Sequence, residues 1–481
     1  MRWRARTSLV SALGDGSSPA VAYLDGRERE IRLEGVALRA DHEGSWCVDC
    51  GDQIACRFLL PATRRWPGNT LHGSCNVRSR SLLLLVKVNR LGMSNKVRKA
   101  HSLTGRITPE LMREVFKSVK RNRGAAGIDR VSIEMFEANL EQNLLALMSA
   151  LKQGTFVPKP LRRVFLPKAP GKFRPLGIPA VRDRVAQEVV RRLLDPLFER
   201  RFHPDSFGFR QERNCHQAIE RIMELWRQGY SHVLDADIQG FFDNLPHSVI
   251  LQGLSAVVAD GNILRLVEKF LNAGVMENGV FKPTSVGTPQ GGVVSPLLAN
   301  IALDSLDWFL DKQGVRFVRY ADDFVVMCRS EPRAQEALIA VRHHLADQLG
   351  LTLSPEKTHV TTFKKGFSFL GFDISSRSVT IRDKSVEKFK DKVRALTRRS
   401  RNMDQEAIDK LNRVIRGTAN YFATPFSHNR WLFGHLDRWI RMRLRCMKYK
   451  RKWLTDNQRF RIKHLRRLGL LSLRDFYPTP V

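Results

Sequence analysis

Phe317-Val-Arg-Tyr-Ala-Asp-Asp-Phe-Val-Val-Met327 sets two adjacent acids between two apolar runs. Runs this short and apolar on both sides predict strand, tight turn, strand, with Asp322 and Asp323 at the tip. Adjacent carboxylates at a turn repel each other. A hard divalent cation relieves that repulsion. Mg²⁺ takes carboxylate oxygens and fills its other positions with water and substrate phosphates. A bare Asp-Asp pair is ordinarily a solvated turn, but two flanking apolar strands make that reading less comfortable here.

Upstream, Val233-Leu-Asp-Ala-Asp-Ile-Gln-Gly-Phe-Phe-Asp243 supplies a third carboxylate. Asp235 and Asp237 alternate on a strand-like run and so share a face. Two acids on one face of a buried strand are costly without a cation. Asp237 beside Asp322 and Asp323 would complete a site for two metal ions. Gly240, Phe241 and Phe242 follow, suited to walling a nucleotide pocket. Gly287-Thr-Pro-Gln-Gly-Gly-Val-Val-Ser-Pro-Leu-Leu-Ala-Asn-Ile301 is a glycine-rich loop entering a helix near Ser295-Pro296. Its glycines allow close approach of backbone to a nucleotide, and Gln290 offers a hydrogen bond to sugar or base. It lacks the Gly-Lys-Ser/Thr ending of a P-loop. In Leu166-Pro-Lys168 and Gly171-Lys-Phe-Arg174, the cations Lys168, Lys172 and Arg174 suit a triphosphate, though a basic surface loop would read the same way.

The whole chain has 481 residues, 81 Lys+Arg against 48 Asp+Glu, and a net charge of +33. Such a surface attracts polyanions, nucleic acid first among them. Its length suits two or three domains. No stretch approaches the roughly 18 apolar residues that span a bilayer, so no membrane partner is expected. Seven cysteines form no disulfide scaffold, which points to a reducing, cytoplasmic setting. Strands and helices mix from about 100 to 375 without a regular repeat, an α+β pattern. From about 384 the chain reads as helical and basic, with thirteen Lys+Arg against two Asp+Glu over 441–481. Residues 1–92 differ: thirteen Arg, one Lys, four cysteines and little periodicity. They read as a poorly structured extension, and the favoured reading sets them upstream of the true start at Met93.

The order Arg174, Asp237, Gln290-Gly291, Tyr320-Ala-Asp-Asp323, Lys357, Phe369-Leu-Gly-Phe372 resembles the reverse-transcriptase blocks. Leu411-Asn-Arg-Val-Ile-Arg-Gly417, Asn420-Tyr-Phe and Leu436-Asp-Arg-Trp-Ile-Arg-Met-Arg-Leu-Arg445 are similar to the maturase-specific region of bacterial group II intron proteins. The resemblance covers about residues 96–475. It implies a right-hand polymerase: fingers and palm over 93–375, then a helical thumb/maturase region over 384–481. The implied activity is RNA-directed DNA synthesis, with assistance to splicing and retrohoming of the encoding intron. It implies two Mg²⁺ ions, or Mn²⁺, held by Asp237, Asp322, Asp323 and the Ile238 carbonyl. Phe242 would be the steric gate against ribonucleotides. Lys168 and Arg174 would contact the triphosphate, Gln290 and Gly291 the template–nucleotide pair, and Lys357 the leaving pyrophosphate. Phe369–Phe372 would form the primer grip. Implied partners are intron RNA, an RNA template with DNA primer, dNTPs, target DNA and, as one oligomeric option, a second copy.

Many relatives carry a C-terminal HNH endonuclease with paired cysteines. Cys446 is the last cysteine here, so target-site cleavage is not expected of this chain. Two other readings stay open: an RNA-binding splicing factor with a decayed polymerase, and a host-adopted reverse transcriptase in defence or repair. Cys47, Cys50, Cys56 and Cys75 are spaced poorly for zinc. His343-His344 reads as helix surface, Arg398-Arg-Ser-Arg401 as an RNA-facing surface. Trp431 and Trp439, eight apart, read as core packing.

Overall fold

The computed structural model describes residues 99–478 apart from 170, 278, 289 and 290, together with the backbone of four short strands between 30 and 58. The chain divides into two units, Met1–Asn95 and Lys96–Val481. In the first, β1 (Glu30–Leu33), β2 (Val36–Ala40), β3 (Trp46–Asp49) and β4 (Arg57–Phe58) pair in sequence as an antiparallel meander. The side chains of Cys47, Cys50, Cys56 and Cys75 lie outside the described residues, as does most of the expected extension over 1–92.

The second unit opens with the helix Pro109–Arg121. Thr108 caps it, its hydroxyl accepting from the Leu111 amide at 3.2 Å, and Pro109 takes the first position, where no amide is needed. Its buried stripe is Met112, Val115, Phe116 and Val119; Leu111 lies only half-buried at its edge. A long hairpin follows, β5 (Leu161–Ala169) against β6 (Lys172–Ile178), with a register shift between Pro167 and Ala169. Two short strands, β8 (Val275–Glu277) and β9 (Val280–Lys282), extend that sheet through a parallel pairing of β5 with β8.

The central sheet has the order β10-β11-β7-β12, formed by β7 (His232–Asp237), β10 (Arg316–Tyr320), β11 (Asp323–Cys328) and β12 (His359–Thr362), all antiparallel. Strand alternation divides its side chains between two cores. Leu234, Ala236, Phe317, Phe324 and Val326 join the larger core, with the helices Val181–Phe198 and Ser295–Lys312. Val233, Val318, Val325 and Met327 face the other. A sheet covered on both faces needs long apolar runs, and Phe317–Met327 supplies them apart from its acidic centre and the buried Arg319.

The second core continues into a three-stranded sheet, β13 (Phe367–Phe369), β14 (Phe372–Ile374) and β15 (Val379–Ile381), and then into helices Asp383–Leu396, Gln405–Phe422 and Arg430–Tyr449. Asp404 caps the second of these through the Ala407 amide at 2.7 Å. Ile408, Leu411, Ile415, Ala419 and Phe422 make its buried stripe at helical spacing. Trp439 is half-buried, with the Arg394 guanidinium 5.8 Å from its ring centre. Trp431 corrects the core-packing expectation: at 76% exposure it stands out of the first turn of its helix, against His435. Helical spacing put both tryptophans on related faces but not where the core ends. Among the described residues, no helix is long and apolar enough to cross a membrane.

Candidate active site

Asp237 ends β7 and Asp323 begins β11, and the two are direct partners in the antiparallel register. Like charges directly opposite one another destabilise a strand pair. Asp235 lies two residues in, opposite Val325 and, on its other side, His359. The turn between β10 and β11 is made by Ala321 and Asp322, with Ala321 in the left-handed region at φ +60°. That turn brings Asp322 beside the facing pair. Burial pushes the Asp323 carboxyl up to about 6, and the charges of Asp322, Asp237 and Asp235 add to the rise. Burial likewise raises Asp322, with Asp237 adding to it while Arg174 and Lys357 pull it down. Asp235 is also pushed up to about 6 by burial, with His359 opposing.

One cation already answers this charge. Lys357 Nζ donates to Asp237 Oδ2 at 2.8 Å, and that bond holds the ammonium's pKa above its usual value. Lys357 is placed by a turn in which its amide donates to the Ser354 carbonyl, while the Ser354 amide donates to the Asp237 carbonyl. A second bond runs from the Gln239 amide to the Thr352 carbonyl, so Ile238 pairs with Leu353 without using its own carbonyl. Among the described residues, the acids do not close into a ready-made cage of three ligands. The donor set is nonetheless all carboxylate oxygen, which suits a hard cation that keeps other positions for phosphates.

Phe242 sits in the short helix Phe241–Asn244, entered through Gly240 at φ +55°. Phe241 is buried, while Phe242 is half-buried, edge-on to the exposed Phe209 ring at 6.5 Å. The glycine-rich loop is tied to this helix: the Thr288 amide donates to the Phe242 carbonyl at 2.8 Å. A Cβ on Gly287 would lie 2.7 Å from the Asp243 carbonyl oxygen, so only glycine fits. Gly291, at φ +113°, rests on β6, where a Cβ would meet the Gly177 oxygen at 2.4 Å. Arg174 is exposed on β6, opposite Leu166 and near enough to act on Asp322. Lys168 lies on β5, but its side chain, like all of Gln290, falls outside the described residues.

The Phe369–Phe372 segment is the β13–β14 hairpin, turned by Leu370 and Gly371, both at positive φ. Tyr421 donates to the Leu370 carbonyl at 2.9 Å, and Phe372 stacks on Tyr421. The structure thus brings together Asp237, Asp322, Asp323, Lys357 and Arg174, and carries Phe242 on the short helix that follows β7. Sequence reading missed the residues that anchor the loop. Gln187 accepts from the Val293 amide at 2.7 Å, and His247 Nε2 bonds the Gly287 carbonyl at 2.7 Å. It missed Arg319 too, whose buried pairing with Asp307 lies beneath the acidic turn. Each of these is distant in sequence from what it holds, so no local pattern marks it. Arg443 donates to the Thr397 hydroxyl and carbonyl, and Arg445 to the Phe460 carbonyl, so each is partly committed inside the fold.

Residues 166–374 match the family model described as reverse transcriptase (RNA-dependent DNA polymerase), and residues 386–469 match the group II intron, maturase-specific domain. Protein YkfC of Escherichia coli (strain K12) is 33% identical over 303 residues, 55% of this chain and 80% of that protein. The group II intron-encoded protein LtrA of Lactococcus lactis subsp. cremoris is 27% identical over 424 residues, 67% of this chain and 70% of that protein. An uncharacterized 91 kDa protein in the cob intron of Schizosaccharomyces pombe is 28% identical over 374 residues, 60% and 46% of the two chains. With one domain model on the acidic sheet and the other on the helices behind it, the chain belongs to the group II intron family of reverse transcriptases, an RNA-dependent DNA polymerase continued by an intron maturase domain.

Proposed function

We propose that Asp237, Asp322 and Asp323 are the catalytic carboxylates of this polymerase and that they work with Mg²⁺ or Mn²⁺. The observation that carries the reading is the facing of Asp237 and Asp323 in register with Asp322 at the turn, an arrangement whose mutual repulsion calls for a cation. Two such ions, held by these carboxylates, would supply activation of the primer 3′-hydroxyl and charge neutralisation at the phosphoryl group. The chain's own groups do the rest. The Ile238 carbonyl, left free of the Ile238–Leu353 pairing, is placed to add a neutral oxygen ligand. Arg174 and Lys357 approach the acids and carry the charge that a triphosphate and leaving pyrophosphate require. Phe242, half-buried against Phe209, is the ring this reading assigns to the 2′ position of an incoming sugar, and Gly287 and Gly291 let the loop close against helix and strand.

The natural substrates in this reading are an RNA template, a DNA primer and dNTPs. The helical region beyond 384 would bind the intron RNA, assist its splicing and support its return to target DNA. The assembled carboxylates favour an active polymerase over a decayed one. Primer extension on an RNA template tests the assignment. The wild-type protein should extend with Mg²⁺ and dNTPs. Asp322→Asn should lose extension by orders of magnitude while still binding RNA. Near wild-type extension by that variant would reject the assignment.

A further inference from the structure

Arg319 lies on β10, three residues before Asp322, and its side chain is wholly buried. A guanidinium is almost never buried this way unless it is paired. Its Nε donates to Asp307 Oδ1 at 2.7 Å and its Nη2 to the other oxygen of the same carboxylate. Asp307 is itself fully buried, on the helix Ser295–Lys312. The remaining arm does something different. Nη1 donates to Asn300 Oδ1 at 2.9 Å and to the Ala321 carbonyl at 3.0 Å.

Ala321 is the residue that reverses the chain into the acid pair, and it does so at φ +60° without being glycine. A non-glycine residue there stores strain of about 1 kcal/mol and persists only where its surroundings over-determine it. Those surroundings are specific. A Cβ on Gly208 would lie 2.2 Å from the Ala321 nitrogen, so the two backbones are in direct contact. Asn300, which holds Arg319 through its oxygen, donates from Nδ2 to the Gly208 carbonyl at 2.8 Å. The Arg319 main chain is also fixed: its amide donates to the Asp205 carbonyl, and its carbonyl accepts from Phe207. The Ala321 carbonyl and the Gly208 carbonyl are thus both tied, through Arg319 and Asn300, to the helix Ser295–Lys312.

We propose that Arg319 is a positioning residue for nucleotide addition: held by Asp307 and Asn300, it fixes the Ala321 carbonyl and with it the direction in which Asp322 and Asp323 meet the cations. This rests on the reading of those two acids as metal-binding. A buried ion pair is a poor device for stability alone, because well-packed apolar residues of similar volume often serve as well or better. What apolar residues cannot supply is the bond to the turn carbonyl. A displacement of about 1 Å at reacting groups can cost on the order of a hundredfold in rate.

The experiment uses the full chain with an RNA template and DNA primer. Arg319→Met combined with Asp307→Leu removes both charges and keeps the volume. Arg319→Lys keeps the charge opposite Asp307 but loses the forked donor. Both should fold with thermal midpoints near wild type and bind template–primer as wild type does. The rate constant for nucleotide addition should fall about tenfold to a hundredfold with little change in the KM for dNTP. Mn²⁺ binding should weaken several-fold in a complex stalled with a chain-terminated primer, followed by loss of the free-ion paramagnetic resonance signal. A folded variant of either kind with wild-type rate and Mn²⁺ affinity overturns the inference. So does a loss of rate that only follows the folded fraction while Mn²⁺ affinity holds. If the double variant does not fold, Arg319→Lys decides on the same two readings. Asp322→Asn run alongside separates the causes: if it leaves extension and Mn²⁺ binding intact, the site assignment fails and takes this inference with it.

Discussion

Replacing Lys357 by Met should strengthen metal binding and weaken catalysis at once. The Lys357 ammonium sits 2.8 Å from Asp237 Oδ2, on oxygen that a divalent ion would take. The Lys357 side chain is 61% exposed, so the pair interacts through a medium close to water. Coulomb's law then gives about 1.5 kcal/mol at that distance, and exposed pairs generally yield about 1 kcal/mol or less. An incoming ion must displace the ammonium and then tolerate it nearby. Without it, the free protein should bind Mn²⁺ roughly threefold to tenfold more tightly, at about 1.4 kcal/mol per decade. In the role proposed for Lys357 the leaving pyrophosphate meanwhile loses an ammonium donor, so nucleotide addition should slow by about a hundredfold. Mn²⁺ titration of the free protein gives the first quantity, and single-turnover incorporation on RNA the second. Unchanged or weaker Mn²⁺ affinity would show that Lys357 and the ion do not compete for Asp237, refuting the reasoning. Undiminished incorporation would remove Lys357 from the triphosphate's path.

Phe242→Ala removes the ring proposed to face the sugar 2′ position, so discrimination between dNTP and rNTP in single-nucleotide incorporation should fall; an unchanged ratio would acquit the ring. Asp183 is 1% exposed, its Oδ2 accepts from the Lys159 amide at 2.8 Å, and its Oδ1 has no hydrogen-bond partner among the described residues. Burial pushes this carboxyl up to about 6. A raised carboxyl favours the fold below the unfolded value near 3.8, and that advantage is lost as pH rises through about 6. Asp183→Asn should therefore raise stability at about pH 8 by roughly 1–3 kcal/mol, and by nothing near pH 4, in urea unfolding at both values. Equal effects at the two pH values would mean the carboxyl is not the titrating group. Lys463, Arg466 and Arg467 are exposed on or beside the helix Ile462–Arg467, unlike Arg443 and Arg445. Neutralising those three should reduce the slope of log affinity for RNA against log salt by about 2–3. A slope equal to wild type would show that this helix does not touch phosphate.

The acidic turn was legible because its chemistry is local. Two acids between apolar runs can hardly be anything but a hairpin tip, and β10 and β11 pair there as the pattern requires. Asp237 was legible too, since alternation fixes its face on β7. The Thr108 cap and the entry of the Ser295–Lys312 helix follow from short-range backbone rules in the same way. Charge gave the polyanion partner without any structure, because net charge acts at long range whatever the fold.

The tertiary structure decided which side chains are spent. Arg441, Arg443 and Arg445 look alike in sequence, yet packing of the last helices commits two of them to carbonyls inside the fold. Trp431 and Trp439 share a helix, and only the end of the core separates the exposed one from the covered one. Residues far apart in the chain meet at the loop and the turn: Gln187 on Val293, His247 on Gly287, Arg319 on Asp307 and Asn300. A sequence fixes charge, periodicity and turn chemistry, which are properties of neighbours. It leaves open the partners of a buried polar group, because that group must be satisfied by whatever the closed fold brings within about 3 Å.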